Sequence, residues 1–179
     1  GGGPQRQAFI DQIQQQGLHH CLFLPYQDKD VLPYSLTACD LALVSVSEGM
    51  EDLVAPSKLY SALSAGRPIA AICPPNSYLN TLITSAQCGA VFQNGASSDL
   101  AAFIRFLSKE TQQAQQMGAA GRHYLETHFT PETIAQQYAT MLQQAIAATQ
   151  PTPAPIGSPG VKKSASLNSR LSSKSRNTR

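Results

Sequence analysis

Residues 47–58, SEGMEDLVAPSK, set three carboxylates, Glu48, Glu51 and Asp52, a short distance ahead of a serine and a lysine, Ser57 and Lys58. Pro56 and the apolar spacing that follows predict a helix over 57–65, so Ser57 and Lys58 fall in its first turn. A helix start offers backbone N–H groups without intrahelical acceptors and a partial positive charge. A hydroxyl and an ammonium placed there complete a site for an anion such as phosphate. Carboxylates beside such a site accept hydrogen bonds from the hydroxyls of a sugar or a ribose. Phosphate joined to polyol is the chemistry of a nucleotide sugar. The same residues also have an ordinary reading, in which Ser57 caps the helix, Lys58 is a solvated charge and the acidic loop is merely wet.

The elements that would position these groups alternate along the chain. Residues 4–16 carry Phe9, Ile10 and Ile13 on one side among Gln, Asp and Arg and end before Gly17, which predicts an amphipathic helix. CLFLP at 21–25 is an apolar run closed by proline and is expected to be a strand, and 28–40 a brief helix interrupted by proline. LALVSV at 41–46, PIAAIC at 68–73 and GAVFQ at 89–93 are further strands, separated by helices at 57–65 and 77–87. A helix over 97–109 is preceded by an N-cap cluster, a weakly amphipathic helix follows, and Thr130-Pro131 starts the last one with a capping threonine and a proline at the first helical position. The strands are apolar without alternation, the pattern of a parallel sheet buried on both faces, so the fold class is an α/β Rossmann-like sheet covered by helices on both faces. Ligands of such sheets sit beyond the carboxyl ends of the strands, and the acidic loop follows one of those ends.

Charge and composition narrow the function. Seven of the 13 lysines and arginines and all 11 acids lie in residues 1–150, which leaves that body at −4; the overall +2 comes from the tail, 151–179. A nucleic-acid face on the folded part is therefore not expected. The tail is rich in Pro, Ser and basic residues and is expected to be disordered, with peripheral membrane association as one use for its charge. Cys21, Cys39, Cys73 and Cys88 show no CxxC spacing and read as reduced core thiols of a cytoplasmic protein. His19, His20, His123 and His128 lack metal-site spacing, so neither a metal nor another cofactor is expected. No run is long enough to span a bilayer.

The order GGGPQR, CLFLPYQDKDVLPYSLTACDLALVSVSEG, PSKLYSALSAGRPIAA, GAVF and GAAGRHYLETHFT resembles the C-terminal half of family 4 retaining glycosyltransferases of the GT-B fold, over residues 1 to about 146. The nearest likeness is to the exopolysaccharide type with PSK, a short helix and AGxP. The resemblance implies a donor-binding domain over 1–150 that takes a nucleoside-diphosphate sugar, and a hexosyl transfer with retention to a glycan or lipid-linked acceptor. It places Gly2 and Gly3 in a glycine-rich turn, Leu24, Pro25 and Tyr26 where backbone meets the base, and Pro56, Ser57, Lys58, Leu59 and Ser61 toward the diphosphate and sugar. It also implies the cytoplasm, with the inner face of the plasma membrane as a working place.

Two departures shape the expectation. Many members carry two glutamates separated by seven residues, and counting back from the AGxP turn puts Leu53 and Ser61 at those positions. Glu48 or Glu51 is then expected to take the first carboxylate's role, while Ser61 supplies a single hydroxyl. The chain also begins at the glycine-rich turn, so the leading strands, a basic pair and the acceptor half are expected to be missing. The fragment alone is expected to be inactive and prone to self-association. A non-catalytic GT-B lobe and a GT-B sugar-nucleotide epimerase remain open beside the transferase. A receiver domain fits poorly, since Ser45-Val46-Ser47 and Pro74-Pro75 stand where it needs aspartate and lysine.

Overall fold

Three short apolar runs pair side by side in parallel: β1 (Ala42–Ser45), β2 (Ile69–Ile72) and β3 (Gly89–Phe92), in the order β1-β2-β3. The computed structural model of the chain describes residues 2–51 and 53–149. Residues up to Ala139 form one compact unit, and a second begins at Thr140, described as far as the helical stretch ending at Thr149. The expected tail at 151–179 and Asp52 lie outside the described residues.

The register aligns the strands at both ends. Ala42 faces Ile69 and Gly89 at the amino end, and Ser45, Ile72 and Phe92 stand in one row at the carboxyl end. The ladder runs slightly further, with Val46 N–H donating to Ile72 O (2.9 Å) and Cys73 N–H to Phe92 O (3.0 Å). Central β2 has Ile69, Ala70 and Ala71 fully buried, as a strand with neighbours on both sides must. Strand β1 alternates: Val44 is buried while Leu43 is 55% exposed. Its outer edge pairs with no other strand among the described residues, which leaves a template for strand addition.

Parallel neighbours need crossovers, supplied by α3 (Ser57–Ser64) between β1 and β2 and α4 (Tyr78–Ala86) between β2 and β3. Leu59 and Leu63 of α3 and Leu79, Leu82 and Ile83 of α4 are fully or almost fully buried and form the core with Val44, Ile69 and Cys73. Each such side chain contributes about 1.5–3 kcal/mol of burial. Helix α4 begins on Ser77, whose Oγ accepts from Asn80 N–H at 3.1 Å, and ends at Gln87 in the left-handed region (φ 50°). Helices α5 (Ser97–Lys109) and α6 (Thr111–His128) return over β3 and over α3 and α4. α7 (Pro131–Thr149) starts where Thr130 Oγ1 accepts from Thr133 N–H at 3.2 Å, as the Thr-Pro pair predicts.

Glycine sets how closely α6 packs. A Cβ at Gly118 would lie 2.1 Å from Gly66 O, and one at Gly121 would lie 2.9 Å from Cys88 Cβ. Gly66 itself ends α3 with φ +63°, a conformation that disfavours side chains. The GAAG and AGRP motifs are thus two halves of one helix-on-turn contact.

The structure corrects three expectations. Residues 21–25 form no strand: among the described residues no neighbouring strand satisfies their backbone, and Leu22 is 80% exposed. The segment before them is α1 (Arg6–Gln15), with Ile13 buried and Phe9 exposed, and α2 (Leu32–Thr37) takes Pro33 in its first turn instead of being interrupted by it. Finally, α5 has Ala96 at its N-cap and no side-chain cap bond. The cysteines divide likewise: Cys73 and Cys88 are buried, Cys39 is half-buried and Cys21 is exposed. Burial pushes the Cys88 thiol up to about 11. Iodoacetamide at pH 8 is therefore expected to label Cys21 and to leave Cys73 and Cys88 unmodified until denaturant is added. Labelling of Cys88 in the native protein, read by peptide mass, would contradict the core assignment.

Candidate functional site

The carboxyl ends of the three strands open on one small cavity. It is about 140 Å³ and is lined by Glu48 from the loop after β1, by Cys73, Pro74 and Pro75 after β2, and by Gln93 and Asn94 after β3. The in-register ends of the strands bring these three loops together. Sites that bury a whole small ligand usually run to roughly 300–1,000 Å³, so this cavity alone does not enclose one. Of the sequence-expected residues, only Glu48 lines it.

Pro56 sits in extended conformation (ψ 109°) and hands the chain to Ser57, the first residue of α3. Its carbonyl accepts from Leu59 N–H at 2.9 Å. Ser57 and Lys58 are exposed in the first turn, and Lys58 forms no ion pair among the described residues. Its ammonium is available to an anion at the helix start. Leu59 is fully buried, so its side chain serves the core and its amide serves Pro56. Ser61, one turn on, is half-buried.

Glu51 presents the least satisfied group in this region. Its Oε2 is buried and has no hydrogen-bond partner. A buried acceptor left in that state costs free energy that a donor from a ligand would recover. Leu53, where a glutamate was sought by the resemblance, is 76% exposed.

Gly2 and Tyr26 are brought together, since a Cβ on Gly2 would lie 3.1 Å from Tyr26 Cε2. Gly3, with φ +141°, accepts from Arg6 N–H through its carbonyl at 3.2 Å and turns the chain into α1. Leu24 and Pro25 are exposed, and Tyr26 is 82% exposed. Two tyrosines missed in the sequence face each other near these helices: Tyr78 opens α4 and lies beside Tyr60 of α3. Burial first, and Tyr60 second, push the Tyr78 phenol up to about 12. Gln93, Asn94 and the Cys73–Pro75 loop were also missed. Position beyond a strand's carboxyl end was the signal that could have found them.

Among the described residues no group of three or more His, Cys, Asp or Glu is placed to hold a metal ion, and no helix is long and apolar enough to cross a membrane.

A parallel sheet flanked by crossover helices, with loops gathered at its carboxyl ends, is the fold of the GT-B glycosyltransferases. The chain belongs to the family described as glycosyl transferases group 1, which matches residues 1–124. It is 26% identical over 141 residues to the probable glycosyltransferase WbjE of Pseudomonas aeruginosa, covering 76% of this chain and 34% of that protein's length. It also resembles sucrose-phosphate synthase (tll1590) from Thermosynechococcus elongatus (TM-score 0.66, 21% identity, 83% of this chain and 38% of that one). A second solved likeness is Anabaena Alr3699/HepE in complex with UDP-glucose (TM-score 0.66, 23% identity, 79% and 38%). The chain thus spans about a third of the length of these proteins.

Proposed function

We propose that residues 1–150 are the donor-binding domain of a retaining glycosyltransferase of family 4, exopolysaccharide type, which takes a nucleoside-diphosphate sugar. In the intact enzyme the hexosyl group passes to a glycan or lipid-linked acceptor held by a separate half, without a metal, on the cytoplasmic side. The observation that carries this is the segment that leaves the carboxyl end of β1 and leads into α3. The free ammonium of Lys58 stands at the start of α3, Glu48 lines the cavity between the strand ends, and Glu51 Oε2 is buried without a partner. In this reading Lys58, Ser57 and the first-turn amides meet the diphosphate, Glu48 and Glu51 meet sugar hydroxyls, and Gly2 and Tyr26 flank the base. The UDP-glucose complex of a protein with the same fold supports the donor class.

Titration of UDP- and GDP-sugars into the intact transferase tests it. Lys58→Ala is expected to weaken donor binding by about 1.5–3 kcal/mol, the worth of a hydrogen bond to a charged group, with little change in melting temperature because Lys58 is exposed. Equal affinities in wild type and variant would show that Lys58 is only a surface charge. Leu53 and Ser61 at the expected glutamate positions favour a second reading, a lobe that binds donor without transferring it. Donor binding with no transfer in the intact protein would select it.

A further inference from the structure

A larger cavity lies at the opposite end of the sheet. It is about 710 Å³, within the range of sites that enclose a small organic molecule. Its floor is formed by Leu41 and Pro68, which immediately precede β1 and β2 and are tied by the Ala42 N–H to Pro68 O bond (2.9 Å). The candidate donor residues follow the other ends of those strands, so neither Glu48 nor Lys58 lines it.

Two arginines line this cavity, Arg67 and Arg122. Each is pinned by a backbone carbonyl: Arg67 Nη2 donates to Thr37 O, and Arg122 Nη1 donates to Ser64 O at 2.6 Å. Arg122 Nε is also engaged, with Glu126 at 2.6 Å. A guanidinium carries five N–H donors, so both retain some. Arg67 Nε is buried and has no hydrogen-bond partner, an unusual condition for a group that is always charged. Asp40 also lines the cavity but forms no ion pair with either arginine among the described residues. Helix α6 opens beside them at Thr111 with no side-chain cap, which adds the partial positive charge of a helix start. Ile104 and Leu107 from α5 join Leu41 and Pro68 as its apolar lining, with Ser108 and Gln115 as further polar groups.

We infer that this cavity is a second ligand site, separate from the donor cleft, for a small organic anion: a phosphate or carboxylate on an apolar stem. The anion pairs with Arg67 and Arg122, and Arg67 Nε supplies a donor that the fold leaves unused. The stem covers Ile104, Leu107 and Leu41. Pinned guanidiniums lose little freedom when the anion arrives, so the site is organised before binding. The inference does not depend on the donor reading, because no residue is shared.

Equilibrium dialysis of the full chain with hexyl phosphate tests it, with hexanol and inorganic phosphate as the two halves of the probe. Hexyl phosphate is expected to bind at least tenfold tighter than either half, and saturating UDP-glucose should not displace it. Arg67→Gln should weaken binding at least tenfold. Ile104→Glu, at a position 47% exposed, should do the same by repelling the anion, with little change in melting temperature. This second variant decides the matter if Arg67→Gln fails to fold. Equal binding of hexanol, undiminished binding in Ile104→Glu, displacement by UDP-glucose, or no binding at all would overturn the inference. Binding to phosphatidic-acid vesicles without binding of soluble hexyl phosphate would overturn it too, because surface charge and not the cavity would then be the receptor.

Discussion

On the proposed function, replacing Glu48 and Glu51 together with glutamine is expected to lower kcat of sugar transfer by the intact protein by about 100-fold or more, the usual cost of removing a group that stabilises charge in a transition state. As the glycosidic bond opens, positive charge grows on the sugar ring, and a carboxylate fixed beside it gains more from that charge than from the neutral ground state. Glutamine keeps the shape and the acceptor oxygen but removes the charge. Donor affinity should therefore fall much less than kcat. Stability supplies a control: Glu51 Oε2 forms no bond that could be lost, so Glu51→Gln should not lower the melting temperature. Steady-state kinetics on the two single variants and the double variant separate the roles. Full activity in the double variant would remove both glutamates from the chemistry.

Gly118→Ala is expected to destabilise the domain by about 2–3 kcal/mol, at the upper end of ordinary overpacking. The added Cβ would meet Gly66 O at 2.1 Å and its carbonyl carbon at 2.8 Å, and backbone cannot turn aside as a side chain can. Helix α6 must then lift off the turn that ends α3. Gly121→Ala should cost less, since the atoms it meets, Cys88 Cβ at 2.9 Å and Leu63 Cδ2 at 3.0 Å, belong to side chains that can adjust. Urea denaturation of both variants should rank them in that order. Wild-type stability in Gly118→Ala would mean that the close approach of helix and turn is not required.

The three paired strands were legible because each is an apolar run bounded by turn residues, and observed Ala42–Ser45, Ile69–Ile72 and Gly89–Phe92 lie inside the expected 41–46, 68–73 and 89–93. CLFLP has the same local character yet forms no strand among the described residues, because a strand requires a neighbour and no run of residues states whether it has one. The start of α3 was legible for a similar reason in reverse: Pro56, Ser57 and Lys58 act through local backbone geometry. Gln93 and Asn94 were not, since they reach Glu48 only through the register of β1 with β2 and of β2 with β3. The tight contact of Gly118 with Gly66 crosses 52 positions of sequence and leaves no local mark beyond the glycines themselves. Cys21 looked like a core thiol because it opens an apolar run, and it is exposed because that run forms no strand of the sheet and packs instead through Phe23 on Phe9 and Arg6.

Hydrogen–deuterium exchange of the protein with and without UDP-glucose tests the location of the donor site most directly. Slowed exchange is predicted around Val46–Glu48, in the first turn of α3 at Ser57–Tyr60, and at Gln93–Asn94. These segments carry the groups assigned to the diphosphate and sugar, or line the cavity beside them. No change is predicted at residues 104–115 or at Arg67, which line the opposite end of the sheet. Protection confined to 104–115 and Arg67, or none anywhere at saturating UDP-glucose, would contradict a donor site at the carboxyl ends of β1, β2 and β3.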